Sequence, residues 1–145
     1  MKMNLDCIRD ILLYVEENLI IEISNGTQEQ SKELTLLTLC NDLKTKYTEG
    51  DIWYNAWILS DAKFLEITNI NSNILRNNRI VSITYTGHQF LETIRPKTVW
   101  EQTKMIVTKA GSSALQFVAS TAQMILAECA KQAVASFVSG GSAPM

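Results

Sequence analysis

The chain is 145 residues long, and its content of 46% hydrophobic and 19% charged residues is that of a globular protein rather than a disordered one. Its formal net charge of −2 argues against a surface built mainly to hold nucleic acid, although a local basic patch is compatible with that total. The start of the chain, MKMNLDCIRD, carries charges where a signal peptide needs an apolar run, so we expect a cytoplasmic protein.

The first predicted element is a helix over residues 5–19, because its apolar residues recur at helical spacing and its charged residues fall on the opposite side. Asn4 or Asp6 is expected to cap its start, since a short polar side chain can accept a hydrogen bond from the free amides of the first turn. The predicted inward face consists of Ile8, Ile11, Leu12, Val15 and Leu19.

An alternating run at residues 20–24 predicts a strand that ends at the turn pair Asn25-Gly26. The polar residues 27–32 that follow are predicted to form a loop. For residues 33–35, a short strand that returns along the first one is left as an alternative to a loop.

Two helices are predicted next. The first covers residues 35–43 with Thr35 as its N-cap, and the second covers residues 48–64, where Thr48 and Asp51 resemble a capping box. The positions predicted to face inward are Leu36, Leu39, Cys40 and Leu43 in the first of these helices and Ile52, Ala56 and Leu59 in the second.

Residues 64–70 and 79–85 are predicted to form two strands of a hairpin around an asparagine-rich loop. In the second strand, Val81, Ile83 and Tyr85 are expected to share one face, because side chains alternate along a strand.

The second strand of the hairpin runs into a helix without a spacer. Thr86 is predicted to cap this helix, Gly87 to let the chain turn sharply against the sheet, and Pro96 to end the helix. Three helices, a two-stranded wing and a returning helix predict the winged helix-turn-helix fold over residues 1–96. The fold class predicted from the sequence is therefore α+β, mostly helical.

Residues 97–145 are predicted to add two C-terminal helices, over 97–110 and 113–138, separated by a break at Gly111-Ser112. Small and apolar residues in the second of these helices keep a 3-4 spacing that suits close helix packing, and polar residues dilute the run too heavily for a membrane span. We expect this extension to form a homo-oligomer, and the sequence leaves open whether it packs on its own domain. The residues on one side of the two helices are Val99, Trp100, Thr103, Ile106 and Val107 in the first, and Ala114, Leu115, Val118, Ala122, Ile125, Cys129 and Ala133 in the second.

Three segments carry a family resemblance: DCIRDILLYVEENL near the start, ITYTGHQFLETIR in the middle and VWEQTK after it. They resemble the small phage and prophage proteins grouped as domain-of-unknown-function family 2513 (DUF2513). The resemblance implies a winged-helix-like domain, a phage or prophage context in a bacterial host cell, and no catalytic residues. The chain departs from the usual winged-helix pattern at Lys63, where a glycine commonly ends the recognition helix.

The sequence contains no recognisable enzyme motif. The one histidine, His88, has neither a nucleophile nor a carboxylate beside it in the sequence, as a catalytic histidine would need in space. Cys7, Cys40 and Cys129 lack the spacing of a zinc site and are interpreted as buried free thiols. We therefore predict no catalytic residue, no metal and no cofactor.

The third predicted helix would be the recognition helix of a DNA-binding winged helix. This helix carries Glu49, Asp51 and Asp61. Three carboxylates would repel a phosphate backbone that approached the helix. Nucleic-acid binding is thus possible but not the preferred interpretation. The residues available for it are Lys44, Lys46, Asn55, Lys63, Arg76 and Arg79.

The same helix carries Trp53 and Trp57, which lie four residues apart and therefore on one face. Because other residues fill its inward side, Trp57 is expected to be partly exposed, or covered by the tail helix, a protein partner or the bases of a single strand. The predicted interaction surface consists of Trp53, Trp57, Trp100, Leu115, Val118, Ala122 and Ile125.

These observations favour a non-enzymatic phage or prophage accessory protein that binds an unknown host or phage protein and other copies of itself. The alternative is a winged-helix transcriptional regulator of phage genes. A membrane-active toxin that uses the apolar tail is less favoured, because the tail lacks the Lys/Arg-rich polar face of a helix that lies on a membrane.

Overall fold

The computed structural model describes residues 2–30, 32–112 and 114–142. The chain is α+β and mostly helical, and it divides into two compact units, Met1–Leu91 and Glu92–Met145. The elements in chain order are α1 (Leu5–Asn18), β1 (Ile21–Ser24), β2 (Thr27–Gln30), α2 (Leu36–Leu43), α3 (Glu49–Asp61), β3 (Leu65–Thr68), a 3-10 turn (Leu75–Asn77), β4 (Arg79–Ile83), α4 (Tyr85–Ile94), α5 (Lys97–Ala110) and α6 (Leu115–Ser142).

The first three helices begin where short polar side chains satisfy their free amides. Asn4 accepts from the amide of Cys7, and Thr48 accepts from the amide of Asp51, each at 3.1 Å. Thr35 forms a reciprocal capping box with Thr38, a partner that the sequence pattern did not identify. The predicted inward residues of these helices are fully or almost fully buried, apart from Leu19 and Leu43, so the predicted positions of the three helices are confirmed.

Residues 27–30 were predicted as part of a loop, and this prediction is wrong. They form β2, which pairs antiparallel with β1 from Ile21↔Gln30 to Ser24↔Thr27. Asn25 and Gly26 have φ angles of 53° and 76°, the pair of positive values that a type I′ turn needs to return a strand onto its neighbour. The polarity of β2 reflects a hairpin that is exposed on nearly all its side chains, not the absence of pairing.

The second hairpin pairs β3 with β4 from Leu65↔Ile83 to Thr68↔Arg79, and its register shifts between Glu66 and Ile67. The shift leaves Val81 as an extra residue in β4, so Ile80 and Ile83 are both buried although they are three residues apart. The strict alternation predicted for β4 is therefore wrong.

The chain just before α2 adds one bridge to the second hairpin. Thr35 bridges Arg79 in the antiparallel sense. The amide of Leu36 donates to the carbonyl of Asn78 at 2.9 Å, and the amide of Ile80 donates to the carbonyl of Leu34 at 2.8 Å. The start of α2 is thus joined directly to β4.

The passage from β4 to α4 explains why a strand turns into a helix without a spacer. Thr84, not the predicted Thr86, caps α4: its Oγ1 accepts from the amide of Gly87 at 3.0 Å, while its own amide donates to the carbonyl of Phe64 at 3.1 Å. Gly87 lies so close to the carbonyl of Phe64 that a Cβ would stand 2.1 Å from the oxygen. Tyr85, predicted in the strand, is the first residue of α4 and is exposed.

Lys63 ends α3 in the left-handed region, with a φ angle of 67°. The amide of Phe64 donates to the carbonyl of Leu59 at 2.9 Å and the amide of Lys63 to the carbonyl of Ser60 at 3.1 Å, which is the hydrogen-bond pattern of a Schellman motif. Glycine is favoured at this position, so the departure from the winged-helix pattern falls where a side chain is strained.

In the second unit, α5 ends at Gly111, whose φ angle is 73°, and α5 packs against α6. Most residues on the predicted side of α5 are buried, whereas Ile106 on the same side is 44% exposed. The predicted start of the last helix, residue 113, lies outside the described residues. Within the part of the chain that the structure describes, no helix is both long and apolar enough to cross a membrane.

Candidate interaction surface

The outer face of α3 carries a pair of stacked aromatic rings. The indole of Trp57 is parallel to the ring of Tyr54 within 13°, and the ring centroids are 6.5 Å apart. Trp57 is 38% exposed, and Trp53 is half-buried one turn earlier. The inward stripe of α3 predicted from the sequence is fully buried, so the helix is rotated as expected and the partial exposure of Trp57 is confirmed.

Trp53 and Trp57 form one wall of a cleft of about 370 Å³, which we call the tryptophan cleft. The other wall is the loop between β3 and β4, and it contributes Ile70, Asn71, Ser72, Asn73 and Leu75. Two indole side chains and a wall of mixed polar and apolar residues thus enclose a space of the size that binds a small molecule or a short stretch of peptide.

A single buried side chain holds the loop wall of the tryptophan cleft in place. Asn78 is fully buried, and its Nδ2 donates to the carbonyl of Asn69 at 2.6 Å and to that of Ser72 at 3.3 Å. Asn69 adopts a φ angle of 55°, and its carbonyl also accepts from the amide of Ser72 at 2.8 Å. These hydrogen bonds hold the loop in one conformation, so the cleft is preformed in the absence of a ligand.

Several residues of the predicted interaction surface are not available to a partner. Trp100 is 2% exposed, and Val118, Ala122 and Ile125 are buried as well, while Leu115 is half-buried. The predicted side of α6 is buried at its centre, but Ala114 and Ala133 at its two ends are exposed, and the sequence pattern could not show which part would be covered. The large apolar side chains that α6 does expose are Met124, Val134, Phe137 and Val138.

A second concave surface lies between α5 and α6, within the second unit. This α5–α6 groove has a volume of about 520 Å³. Its apolar lining includes Ile106, Phe117 and Met124, and Glu128 contributes a charged side chain to the lining. Met124 is 72% exposed, so the groove opens to solvent at an apolar side chain. The residues that line the groove are Gln102, Ile106, Phe117, Thr121, Met124, Ile125, Glu128, Cys129 and Gln132.

The residues predicted for the alternative, nucleic-acid reading are not equally available. Asn55 is fully buried: its Oδ1 accepts from the amide of Asn4 at 2.8 Å and its Nδ2 donates to the carbonyl of Asp51 at 2.7 Å. It therefore cannot read a base, and that part of the prediction is corrected. The remaining candidates, Lys44, Lys46, Lys63, Arg76 and Arg79, are exposed.

Two of these exposed cations already have partners in the chain. Lys46 lies 3.4 Å from the carboxylate of Asp10, and Arg79 donates from its Nε to Oε1 of Gln30 at 3.2 Å. The carboxylate of Asp10 also accepts a hydrogen bond from the hydroxyl of Tyr47 at 2.7 Å. Burial, followed by the hydrogen bond to Asp10, raises the pKa of Tyr47 above its ordinary value. This group of side chains joins α1 to the segment between α2 and α3.

The groups with reactive chemistry are buried or isolated, except that Cys129, predicted to be a buried thiol, is half-exposed. Burial raises the pKa of the Cys7 thiol to about 12 and that of the Cys40 thiol to about 11, so both stay protonated at neutral pH. His88 is exposed in the first turn of α4. Among the described residues, no group of three or more His, Cys, Asp or Glu side chains could hold a metal ion.

Sequence reasoning found the indoles of the tryptophan cleft but missed its other wall and missed the α5–α6 groove. The asparagine-rich loop was the available signal for the wall, since five asparagines lie between positions 69 and 78. For the groove, the signal was the presence of Ile106 and Met124, two exposed apolar residues beside the buried stripe of their helices.

The comparisons with known proteins agree with the resemblance seen in the sequence. A family model described as "Hypothetical protein (DUF2513)" matches residues 2–113. No curated protein and no solved structure matches the chain. The family match covers both hairpins, the helices α1 to α5 and every residue of the tryptophan cleft, and the chain belongs to the DUF2513 family.

Proposed function

We propose that the protein is a non-enzymatic accessory protein of a phage or prophage, acting in the host cytoplasm by binding another protein at the tryptophan cleft and forming a homo-oligomer through its C-terminal helices. The observation that carries this proposal is the exposed Trp57 stacked on Tyr54 beside a preformed polar loop. Aromatic side chains in a partly enclosed site are typical anchors of protein interfaces, because they bury a large area at little cost in side-chain entropy.

The order of the elements supports a winged helix-turn-helix fold for the first unit. Three helices precede an antiparallel hairpin, and the bridge from Thr35 to Arg79 adds a short third strand to that hairpin. In a winged helix, α3 is the recognition helix and the loop between β3 and β4 is the wing. The phage or prophage context is supported by the family resemblance alone.

The charge and packing around α3 favour a protein over duplex DNA as its partner. Glu49 and Asp61 are exposed at the two ends of the helix, and Asp51 is half-exposed in its first turn. The 3-10 turn Leu75–Asn77 packs against α2, and the loop beside it forms a wall of the tryptophan cleft. A phosphate backbone approaching α3 would meet carboxylates and the loop before it reached the indoles.

A DNA-binding regulator of phage genes is the second candidate. The exposed Lys44, Lys63 and Arg76 favour it, since cations around a recognition helix can contact phosphates. A gel shift against the intergenic DNA of the cognate phage, at physiological salt, decides between the two. We expect no sequence-specific complex, and a complex with a nanomolar Kd would replace the preferred function with the regulator.

The membrane-active toxin is the third candidate and the least supported. Vesicle-leakage assays with anionic and neutral lipids test it directly. We expect no leakage, because α6 carries Lys131 as its single cation between Leu115 and Val138, where a helix bound to an anionic membrane uses several.

The decisive experiment for the preferred function compares the removal of two exposed aromatic side chains. Affinity capture from host lysate, with and without phage infection, is done with the wild type, Trp57→Ala and Tyr85→Ala. Tyr85 is a matched control, because it is an exposed aromatic residue on α4 that does not line the cleft. A partner of the cleft is captured by the wild type and by Tyr85→Ala and is lost with Trp57→Ala. Equal capture by all three proteins would refute binding at the cleft.

A further inference from the structure

The second half of α6 has no cover within the described part of the chain. The helix has 28 residues and is about 42 Å long, whereas α5 has 14 residues and is about 21 Å long. Every residue from Ala130 to Val138 is exposed, including the large apolar side chains of Val134 and Phe137. An apolar helix end of this kind is unusual on a protein that stays monomeric.

One line of side chains connects this exposed end with the α5–α6 groove. The residues recur at alternating steps of three and four, which is the 3.5-residue period of a coiled-coil seam. At one end of the line, Phe117, Thr121 and Met124 line the groove, and at the other end Val138 is exposed. We call this line the α6 seam, and its members are Phe117, Thr121, Met124, Glu128, Lys131, Ala135 and Val138.

The two charges of the α6 seam restrict how it could pair with a copy of itself. Glu128 and Lys131 are the only charged residues between Leu115 and Val138 in the sequence, and both lie on the seam. In a parallel pair in register, Glu128 would face Glu128 of the second copy, and like charges at a seam are destabilising. In an antiparallel pair centred between the two positions, each Glu128 faces Lys131 of the second copy.

The antiparallel arrangement also matches the remaining positions of the α6 seam. With Glu128 opposite Lys131 of the second copy, Met124 falls opposite Ala135. Val138 falls opposite Thr121, which lines the groove but is only 6% exposed, so this layer contributes little contact area. Each layer then joins a residue that lines the α5–α6 groove to a residue from the uncovered end of the other α6. One symmetric contact would cover Met124 beside the groove and Ala135 and Val138 of the uncovered end, which is the self-complementarity that a twofold interface requires. At about 100° per residue, Val134 and Phe137 lie on other sides of α6 and stay outside this contact.

We propose that two copies of the chain pair through the α6 seam as an antiparallel dimer, with the uncovered end of each α6 seated against the α5–α6 groove of the other. This inference rests on the proposed self-association and names its surface, its direction and its register. The tail residues Val118 and Ala122 stay in the interior of each copy and do not form this interface, whereas Ile125 lines the groove.

The test is sedimentation equilibrium of the full chain with two charge reversals, alone and mixed. Glu128→Lys makes both seam charges positive and Lys131→Glu makes both negative, so each variant alone should dimerise at least about tenfold more weakly than the wild type. The equimolar mixture should dimerise about as tightly as the wild type, because every Lys then faces a Glu. Restoration by mixing cannot come from changes within one helix or from a misfolded variant.

Glu101→Lys is the matched control. Glu101 lies on α5, pairs with Lys104 at 3.3 Å across the same three-residue spacing, and does not line the groove. This variant has the same net charge as Glu128→Lys and should keep the wild-type dimer affinity.

Three results would overturn the inference, and they differ in what they mean. If the wild type dimerises and neither seam variant weakens the dimer, or if mixing restores nothing, association uses another surface and the proposed oligomer survives. If the wild type is monomeric at every concentration, both the seam and the proposed self-association fail.

Discussion

Replacing Gly87 by alanine tests the close contact that closes the β3–β4 hairpin onto α4. The added Cβ would stand 2.1 Å from the carbonyl oxygen of Phe64 and 2.8 Å from Cγ2 of Ile83. A carbon and a carbonyl oxygen in normal contact are about 3.3 Å apart, so the start of α4 must move by about 1 Å. The displacement strains the hydrogen bond from the amide of Gly87 to Oγ1 of Thr84 and the stacking of Phe64 on Phe90, whose centroids are 5.0 Å apart.

The size of the effect follows from opposing contributions. Forcing an extra methyl group into a packed site costs about 1–3 kcal/mol. Loss of a helix cap costs about 1 kcal/mol more, and alanine returns about 1 kcal/mol through its better helix propensity. We therefore expect Gly87→Ala to lower the free energy of unfolding by about 2 kcal/mol.

Urea denaturation of the full chain, followed by circular dichroism and tryptophan fluorescence, measures this loss. Two neighbouring variants serve as controls: Thr84→Ala should cost about 1 kcal/mol because it removes the observed cap, and Thr86→Ala should change stability by less than about 0.5 kcal/mol. If Gly87→Ala is as stable as the wild type, the helix does not approach the Phe64 carbonyl as described. If Thr86→Ala costs as much as Thr84→Ala, the cap predicted from the sequence is the right one.

The remaining predictions concern one strained residue, two tryptophans and two thiols. Lys63→Gly should raise the free energy of unfolding by about 0.5–1 kcal/mol, since glycine adopts the positive φ angle without strain, while Lys63→Ala removes the same charge and should give no such gain. Trp57→Ala should lower the free energy of unfolding by less than about 2 kcal/mol and Trp100→Ala by about 3–5 kcal/mol, because Trp57 is 38% exposed and Trp100 only 2%. Equal losses in urea titrations would mean that Trp57 belongs to the core. Burial raises the pKa of Cys7 from 9.0 to about 12 and that of Cys40 to about 11, so the unfolded chain loses these protons first and stability should fall as the pH rises from about 9 to about 12. Iodoacetamide should label these two thiols at pH 8 only after denaturation, whereas the half-exposed Cys129 can react in the native protein. Peptide mapping separates the three sites, and rapid native labelling of Cys7 or Cys40 would contradict their burial.

The limits of sequence reasoning are clearest at the residues where it failed. Thr86 looked like the cap of α4, yet Thr84 has that role because its amide is already bound to the carbonyl of Phe64. Asn55 looked like a base reader, yet it is buried because the amide of Asn4, far away in the sequence, needs its oxygen. Both errors concern a partner distant along the chain, which no local pattern reports.

The candidate site shows the same division. The rotation of α3 follows from the spacing of its apolar residues, so the partial exposure of Trp57 was predictable. The tryptophan cleft was not predictable, because its second wall is a loop whose position depends on the buried side-chain amide of Asn78. Likewise, the apolar side of α6 was visible in the sequence, but its burial and the groove beside α5 depend on which elements pack together.

By itself the sequence determined the features that depend on neighbours within about four residues: the extents of most helices, the caps Thr35 and Thr48, and the turn at Asn25-Gly26. For α1 it left Asn4 and Asp6 as alternative caps, and the structure has Asn4. The tertiary structure alone decided the pairing of β2, the bulge opposite Glu66 and Ile67, and the walls of the two concave surfaces. The physical reason is that capping and helical periodicity act through local hydrogen bonds and side-chain spacing. Strand register and cleft shape instead depend on contacts between distant segments, whose free energies compete only once the chain has folded.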